Sequence, residues 1–424
     1  MTNPAINTLR RHAFDCFQSG VEAADPYLAV KRHLLIDGNQ LGLVLADGRH
    51  RFGGWPKVHV LAFGKAACAM AKAAKEFIPE HLLTGRCIAV TNDENVIALD
   101  GIEIFAASHP LPDERGFHAA KVCADIAESS QKDELVLVLI SGGGSALLPY
   151  PVEFVSLQDK ITTTDLLLAS GATINQMNCV RKHLSQLKGG GLAKLAYPAD
   201  VHALILSDVL GDDVSAIASG PTVPDETTYV DAIAILESKG LWNKIPATVR
   251  QHLEYGREGK IAETPKSGDS VFTNTTHTLM GSNGLSVHAV LQSAQTQGYP
   301  TQLYSGHLCG EARDEAEKLV AFAKAVSHND KQPLAIVAGG ETIVTLKGKG
   351  RGGRNQEMAL AFAISAKAHG LQGDWVFLSG GTDGRDGPTD AAGGMVDSCT
   401  IQRLLAASIN PGEALKNNDS YTAL

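Results

Sequence analysis

Near-continuous apolar runs that alternate with helical segments constrain the fold of this sequence most strongly. Four such runs, each short enough for one strand, lie at 58–63, 86–91, 134–140 and 202–207. An alanine-rich helix through Phe77 follows the first run. A strand that is apolar on both faces must be covered on both sides, which is typical of a parallel sheet with helices on both faces. The sequence therefore predicts an α/β fold built on a parallel sheet.

The pattern changes after Pro246, and the second part of the chain predicts a smaller α/β unit. A charged, irregular stretch over 255–269 is typical of a connector. Helices are predicted at 284–297, 312–328 and 355–369, and strands at 301–304, 333–338, 341–346 and 374–378, with a turn at Gly339 and Gly340. A chain of 424 residues is also too long for one ordinary core. We expect two domains, over residues 1–245 and 246–424.

Composition and charge indicate a soluble globular enzyme. The formal net charge is −9, whereas a nucleic-acid or anionic-membrane partner would favour a basic surface. The start of the chain lacks the apolar segment of a signal peptide, and no uninterrupted run approaches the roughly 20 apolar residues of a spanning helix. Seven cysteines without a C-x-x-C pair favour reduced thiols. We therefore expect a cytoplasmic protein that binds neither nucleic acid nor a membrane.

Glycine-rich turns with polar side chains follow several predicted strands, where open parallel sheets gather their ligands. Gly64 and Lys65 follow the first strand, and the lysine can present its ammonium group to a phosphate or remain a solvated helix-start residue. Asp208 follows the fourth and can hold Mg²⁺ or accept a proton from a hydroxyl. The turn after the third strand can cradle an anion with consecutive N–H groups, or serve only as a tight turn. Its members are Ser141, Gly142, Gly143, Gly144 and Ser145.

Two further turns of this kind lie in the second half of the chain. The segment 347–357 is basic and rich in glycine at a predicted helix start, and its Arg354 can clamp a phosphate or a carboxylate. The segment 379–390 carries three carboxylates spaced by glycines, those of Asp383, Asp386 and Asp390. Carboxylate oxygens suit a hard cation, but aspartate and glycine are also common in Asx turns. The segment predicts either a cation and phosphate site or a surface loop.

Known nucleotide-binding motifs fit this sequence poorly. Gly348, Gly350 and Gly353 match the spacing of the dinucleotide fingerprint, and Asp374 lies about twenty residues further on. However, Asp374 precedes its predicted strand, so it should lie at the sheet edge opposite to the one where a ribose binds. Neither glycine-lysine pair of these turns has the leading glycine of a P-loop. Any nucleotide must be bound by another scheme.

Taken together, these blocks resemble the class II glycerate kinases, whose C-terminal domain is called MOFRL. The matching blocks are 64–67, 109–115, 141–147, 178–182, 207–222, 339–342, 352–357 and 381–391. The resemblance implies a Rossmann-like N-terminal domain, a smaller C-terminal α/β domain and an active site in the cleft between them. It implies ATP- and Mg²⁺-dependent phosphorylation of D-glycerate at the 2-hydroxyl, which gives 2-phosphoglycerate and ADP. Members of that family continue beyond the block that resembles 417–421, whereas this sequence ends at Leu424.

The resemblance also implies roles for individual residues. Lys65 would stabilise the transferring phosphoryl group, and Asp208 would orient or deprotonate the attacking 2-hydroxyl. Arg354 would clamp a carboxylate or a phosphate. Ligands for Mg²⁺ would come from some of Glu341, Asp383, Asp386 and Asp390. Substrate or ATP binding is expected at Gly64, Ser141, Gly142, Gly143, Gly144, Ser145, Glu341, Asn355, Gly381 and Thr382.

Other functional classes stay open. Some relatives are named hydroxypyruvate reductases, so an NAD(P)H-dependent reductase is the alternative, and a non-catalytic sugar-acid sensor is a third class. The expected partner is the small molecule glycerate, and a homodimer is one assembly compatible with this function. Of the 15 histidines, only His109 lies in one of the blocks, and we interpret it as shaping a turn before Pro110.

Overall fold

The computed structural model describes residues 4–209, 211–327 and 333–424. Contacts between Cα atoms divide the chain into two compact units, one over Pro26–Ser282 and one that combines Met1–Asp25 with Asn283–Leu424. This division differs from the boundary expected at residues 245 and 246. The reason is that the helix after Pro246 packs within the larger unit, while the first helix of the chain packs within the smaller one. The domain assignment itself stays a prediction.

Helices and strands alternate along most of the chain. The strands are β1 Leu34–Asp37, β2 Gln40–Val44, β3 His50–Gly53, β4 Val58–Phe63, β5 Cys87–Asn92, β6 Glu103–Ala107, β7 Leu135–Ile140, β8 Asp200–Leu206, β9 Thr275–Gly281, β10 Thr301–Glu311, β11 Ala335–Ile343, β12 Val376–Gly380 and β13 Gly393–Asp397. The helices are α1 Pro4–Ala23, α2 Pro26–His33, α3 Ala67–Phe77, α4 Glu114–Ser129, α5 Gly144–Leu147, α6 Leu157–Ala169, α7 Ile174–His183, α8 Gly191–Ala196, α9 Tyr229–Ser238, α10 Ala247–Arg257, α11 Asn283–Thr296, α12 Ala312–Ser327, α13 Arg354–Ala368, α14 Thr400–Ala406, α15 Pro411–Lys416 and α16 Ser420–Ala423. The end predicted for one helix at residue 328 lies outside the described residues.

A six-stranded parallel sheet forms the centre of the larger unit. Its strand order is β6-β5-β4-β7-β8-β9, and every neighbouring pair is parallel. Counted along the chain from β4, this is the order 3-2-1-4-5-6 of the Rossmann fold. A three-stranded antiparallel sheet, β1-β2-β3, belongs to the same unit. The predicted Rossmann-like parallel sheet is therefore confirmed.

Alternate residues of the central strands enter two separate cores. Val58, Val60 and Ala62 of β4 pack with α2 and α3. Leu61 and Phe63 of the same strand pack with α4, α5 and α8. Since β4 and β7 are buried along their whole length, they require cover on both faces, and the helices supply it. This explains why the apolar runs are continuous rather than alternating.

The smaller unit contains two short sheets, the parallel pair β10-β11 and the antiparallel pair β12-β13. The predicted turn at Gly339 and Gly340 is wrong, because β11 runs through both residues. Gly340 has φ +145°, and a Cβ there would lie 2.2 Å from the carbonyl oxygen of Leu308 in β10. These glycines therefore allow close strand pairing and do not reverse the chain.

In the described ranges, none of the helices combines the length and the apolar composition needed to cross a membrane.

A buried histidine makes the larger unit sensitive to acid. His202 in β8 is fully buried, and its Nδ1 lies 2.8 Å from the hydroxyl of Thr276. Its Nε2 has no hydrogen-bond partner among the described residues. Burial is the main cause that lowers the pKa of His202 to about 3, and nearby Arg51 lowers it further. The unfolded chain takes up this proton near pH ~6.5, so the stability that neutral His202 provides is lost as the pH falls from there toward the folded pKa.

We expect His202 to remove about 1.4 kcal/mol from the free energy of unfolding for each pH unit below about 6. His202→Leu should flatten this dependence, because the unfolded chain then has one proton fewer to gain. Urea unfolding followed by circular dichroism between about pH 6 and about pH 5, where most carboxylates are still ionised, measures the slope. The exposed His81 provides a matched control, His81→Leu, that should keep the wild-type slope. An unchanged slope in His202→Leu would contradict the assignment.

Candidate active site

Polar residues converge where the strand order of the six-stranded sheet reverses, between β4 and β7. Gly64 and Lys65 follow β4, and the turn 141–145 follows β7. The N–H of Lys65 donates to the carbonyl oxygen of Gly142 at 2.8 Å, and the N–H of Ala66 donates to Ser141 Oγ at 3.0 Å. Open parallel sheets bind their ligands at such a reversal. The fold therefore joins two of the predicted turns into one surface.

The glycines of this turn allow side chains from other strand ends to approach its backbone. A Cβ at Gly142 would lie 2.2 Å from Oδ2 of Asp208, so the carboxylate rests against this glycine. Gly143 has φ +85°, and a Cβ there would lie 3.1 Å from Nε2 of His109 and 3.5 Å from Cγ of Lys65. Lys65, His109 and Asp208 therefore surround one turn. We call these three residues and the turn 141–145 the switch-point site.

The backbone of the turn is suited to hold an anion. The N–H groups of Gly142, Gly143 and Gly144 donate to no acceptor in the described part of the chain. Consecutive N–H groups of this kind form an anion-binding concavity. Ser141 is 3% exposed and its hydroxyl accepts from the N–H of Ala66, so its expected contact with a ligand stays a prediction. Ser141 therefore links the two turns.

Two more predicted residues support this arrangement. A Cβ at Gly64 would lie 2.2 Å from Ser141 Oγ, and its φ is +119°, so only glycine lets the two turns approach this closely. Ser145 Oγ lies 2.9 Å from Ser219 Oγ, which in turn donates to Oδ1 of Asn178 at 3.0 Å. The ends of the turn are therefore tied to the rest of the unit by packing and by hydrogen bonds.

His109 is the member of the site that the sequence interpretation underrated. It follows β6, and its ring contacts the turn at Gly143. Burial lowers the pKa of His109 and nearby Lys65 lowers it further, while the carboxylates of Asp208 and Glu94 partly offset both effects. The imidazole is therefore neutral near pH ~7 and can accept or donate one hydrogen bond. Its place directly after a parallel strand was the available signal in the sequence.

Arg354 and Glu341 form an ion pair in the smaller unit. Arg354 is the first residue of α13, Glu341 lies in β11, and Nη1 and Oε1 are 3.0 Å apart. The two side chains are 38% and 60% exposed, so the guanidinium is accessible. An accessible arginine can exchange a carboxylate for an anionic ligand. The ligand-binding roles expected for Arg354 and Glu341 stay predictions.

The three carboxylates expected to bind a metal, those of Asp383, Asp386 and Asp390, do not form one metal-binding group in the described structure. Asp386 is 2% exposed, and its two oxygens accept from the N–H groups of Asn355 at 3.0 Å and Gln356 at 2.7 Å, so it caps α13. Asp390 accepts from the hydroxyl of Tyr421 at 2.6 Å. Across the described ranges, no group of three or more His, Cys, Asp or Glu side chains could hold a metal ion. Asp383 is exposed, whereas Asp386 is buried where it caps α13.

The remaining predicted residues of this unit have mixed positions. Asn355 is used structurally, because its Oδ1 accepts from Ser379 Oγ at 2.8 Å and its Nδ2 donates to Asp386 at 3.2 Å. The N–H of Gly381 donates to the carbonyl oxygen of Ala392 at 2.8 Å, and Thr382 is exposed. Ligand contacts of Gly381 and Thr382 stay predictions.

The basic loop 347–353 is closed by the C-terminal segment. N–H groups of the loop donate to side-chain oxygens of Asn417, Asn418 and Asp419, at distances from 2.8 to 3.1 Å. A Cβ at Gly348 would lie 2.1 Å from the carbonyl oxygen of Asn417. The glycines therefore serve packing, and the loop backbone is not an anion cradle.

Two family models match successive parts of the chain. A family model described as Domain of unknown function (DUF4147) matches residues 12–254, and the MOFRL family model matches 334–424. A glycerate 2-kinase from Pyrococcus horikoshii is 40% identical over 408 residues, which cover 95% of this chain and 89% of that protein. A crystal structure of glycerate kinase from Thermotoga maritima superposes with a TM-score of 0.85 at 37% identity, covering 99% of this chain and 94% of that one. This chain belongs to the glycerate kinase family.

One relative carries a different name. A putative hydroxypyruvate reductase from Agrobacterium vitis is 39% identical, over 96% of this chain and 87% of that protein. The switch-point site lies within the DUF4147 match, and Arg354 lies within the MOFRL match. Each of the two family models therefore includes residues that are predicted to take part in the reaction.

The capping role of Asp386 predicts a stability effect. Asp386→Ala should lower the free energy of unfolding by about 1–3 kcal/mol, because it leaves buried N–H groups at the start of α13 without an acceptor. Asp383→Ala is the matched control on the same loop and should change stability by less than about 0.5 kcal/mol. Urea unfolding measures both. Equal stability of Asp386→Ala and the wild type would remove the capping assignment.

Proposed function

We propose that this protein transfers the γ-phosphoryl group of ATP to the 2-hydroxyl of D-glycerate, giving 2-phosphoglycerate and ADP. The observation that carries the proposal is the convergence of Lys65, Asp208 and an anion-binding glycine turn at the reversal of the sheet. Membership of the glycerate kinase family supports a phosphoryl donor and a small hydroxy acid as the reactants. A cytoplasmic location and a homodimeric assembly stay predictions.

Phosphoryl transfer depends mainly on positioning and on neutralisation of charge, and the switch-point site supplies both. The N–H groups of Gly142, Gly143 and Gly144 bind phosphate oxygens. The Lys65 ammonium group neutralises charge on the transferring group. Asp208 accepts a hydrogen bond from the 2-hydroxyl and takes its proton as the new oxygen–phosphorus bond forms and ADP leaves.

His109 and Arg354 complete the set of proposed residues. The His109 ring lies against the turn and beside Lys65, so it positions both. Arg354 clamps an anionic group of a reactant through its guanidinium fork. These two roles rest on contact geometry and exposure, and neither residue is required to transfer a proton.

Mg²⁺ fits this proposal without a dedicated cage of carboxylates. Magnesium in phosphoryl-transfer sites usually keeps several waters and uses one or two carboxylates together with substrate phosphates. Each unit offers an exposed carboxylate as a candidate, Asp208 in the larger unit and Asp383 in the smaller one. Both oxygens of Asp386 are already used by N–H groups. When bound, the ion would neutralise charge on the phosphate oxygens.

The reductase alternative has weaker support. A relative named putative hydroxypyruvate reductase favours it. However, the turn after β4 contains Gly64 but not the further glycines of a dinucleotide fingerprint. The formal match at 348–353 precedes α13, and the strand after it, β12, pairs with β13 and not with β11. The strands on either side of α13 are therefore not paired in parallel, as the fingerprint requires, although β10, α12 and β11 form a parallel β-α-β unit elsewhere in the smaller unit.

We expect kcat to fall by about 10²- to 10³-fold in both Lys65→Met and Asp208→Asn. The first substitution removes charge stabilisation in the transition state, and the second removes activation of the hydroxyl. A coupled ADP-release assay with ATP, Mg²⁺ and D-glycerate measures the rates. Lys72→Met is the matched control, because Lys72 is an exposed lysine of α3. A Lys65→Met enzyme within about twofold of the wild type would remove Lys65 from the mechanism.

The same preparations separate the two activities. ³¹P NMR of the product assigns the phosphorylated hydroxyl, and a parallel absorbance assay follows NADH oxidation with hydroxypyruvate. Oxidation of NADH without ADP release from glycerate would replace the kinase with the reductase.

A further inference from the structure

A buried group of three cations lies beside the glycine turn of the larger unit. Lys160 of α6 is 5% exposed, Lys188 between α7 and α8 is 3% exposed, and Arg181 of α7 is partly buried. We call these three residues the basic cluster. Burial lowers the pKa of Lys160, and nearby Lys188 and Arg181 lower it further. The positive groups are therefore close enough to repel one another.

No acidic side chain neutralises the basic cluster. In the described part of the chain, none of the three residues forms an ion pair with a carboxylate. The Nζ of Lys160 has no hydrogen-bond partner at all among these residues. The Nζ of Lys188 donates to the carbonyl oxygens of Ser145 at 2.9 Å and Leu148 at 3.4 Å. Burying an ammonium group without a counter-ion is costly, so a buried lysine either gives up its proton or binds an anion. Burial lowers the pKa of Lys188 to about 7, and an anion bound beside Lys160 and Lys188 would favour their charged forms.

The neighbouring Lys182 has a counter-ion within the fold. Lys182, next to Arg181, lies 3.3 Å from Asp225, which is fully buried. Charge without a counter-ion is therefore not a general property of α7.

Hydrogen bonds connect the basic cluster to the switch-point site. Lys188 contacts Ser145 of the turn, and Ser145 is linked through Ser219 to Asn178. Asn178 and Arg181 are three residues apart on α7 and therefore lie on the same face of the helix. The Ser145 end of the turn faces the basic cluster, while its Gly142 end faces Asp208. An anion held by the cluster would thus lie next to the proposed reaction centre.

We propose that Lys160, Arg181 and Lys188 form the binding site for the carboxylate of the hydroxy-acid substrate. This assignment rests on the proposed function, because a 2-hydroxy acid carries its carboxylate on the carbon that bears the reacting hydroxyl. The site must then hold one small anion close to the group that orients the hydroxyl. Arginine suits a carboxylate because its guanidinium offers two parallel donors. The phosphates of the nucleotide have a separate partner in the N–H groups of the turn.

Lys160→Met tests the proposal, because methionine keeps the length of the side chain and removes the charge. We expect the KM for D-glycerate to rise at least about tenfold, the KM for ATP to change by less than about twofold, and the stability to stay equal or increase as repulsion is relieved. Calorimetric titration with D-glycerate in the absence of nucleotide should show the same loss of affinity. Lys194→Met on the exposed face of α8 is the matched control and should bind glycerate as the wild type does.

A neutral analogue separates recognition of the carboxylate from general damage. Glyceramide has an amide in place of the carboxylate, so the wild type should prefer glycerate to glyceramide by kcat/KM, and Arg181→Met should reduce this preference by about tenfold or more. Arg181 is only partly buried, so this variant also guards against a folding defect in Lys160→Met.

The outcomes are distinguishable. If the wild type releases no ADP with D-glycerate, the proposed function fails. If it is active, but both variants keep the wild-type affinity and preference for glycerate, the basic cluster is not the carboxylate site. A rise in the KM for ATP alone would assign the cluster to nucleotide phosphate and would likewise overturn the proposal.

Discussion

The hydrogen bond from the N–H of Lys65 to the carbonyl oxygen of Gly142 is the contact on which the site depends. It joins the turns that follow β4 and β7, the two neighbouring strands at which the strand order reverses. Two glycines make this contact possible, since a Cβ at Gly64 would overlap Ser141 and a Cβ at Gly142 would overlap Asp208. Glycine is therefore required here for close approach of backbone and side chain, and the position of Asp208 follows from it.

The distribution of counter-ions separates structural charge from charge that is available to a ligand. Lys182 lies beside a buried aspartate, and Lys57 lies 2.7 Å from Glu134, so both are neutralised within the fold. The basic cluster and the N–H groups of the glycine turn have no such partner among the described residues. The chain as a whole has a net charge of −9, so this local positive region is not a consequence of composition. It reflects the placement of a few residues next to the turn.

The sequence predicts the sheet well because its signal is local. Every residue of β4 is buried, so the apolar run 58–63 coincides with the strand. Signals that depend on distant partners are less informative. Gly339 and Gly340 have the composition of a turn, but their conformation is set by pairing with β10. Asp386 lies in a glycine-rich segment with two other aspartates, as a metal ligand would. However, its oxygens accept from N–H groups at the start of α13, about thirty residues earlier, and no spacing rule shows that contact.

Dependence on distant partners also explains why this site has no contiguous motif. Lys65 follows β4, His109 follows β6, the glycine turn follows β7 and Asp208 follows β8. Because neighbouring parallel strands end at the same edge, four segments that are far apart in the sequence contribute one group each to a common surface. A P-loop instead concentrates its phosphate ligands in one turn and can be found by spacing alone. Here the sheet order carries that information, so the strand order had to be known before the residues could be assembled.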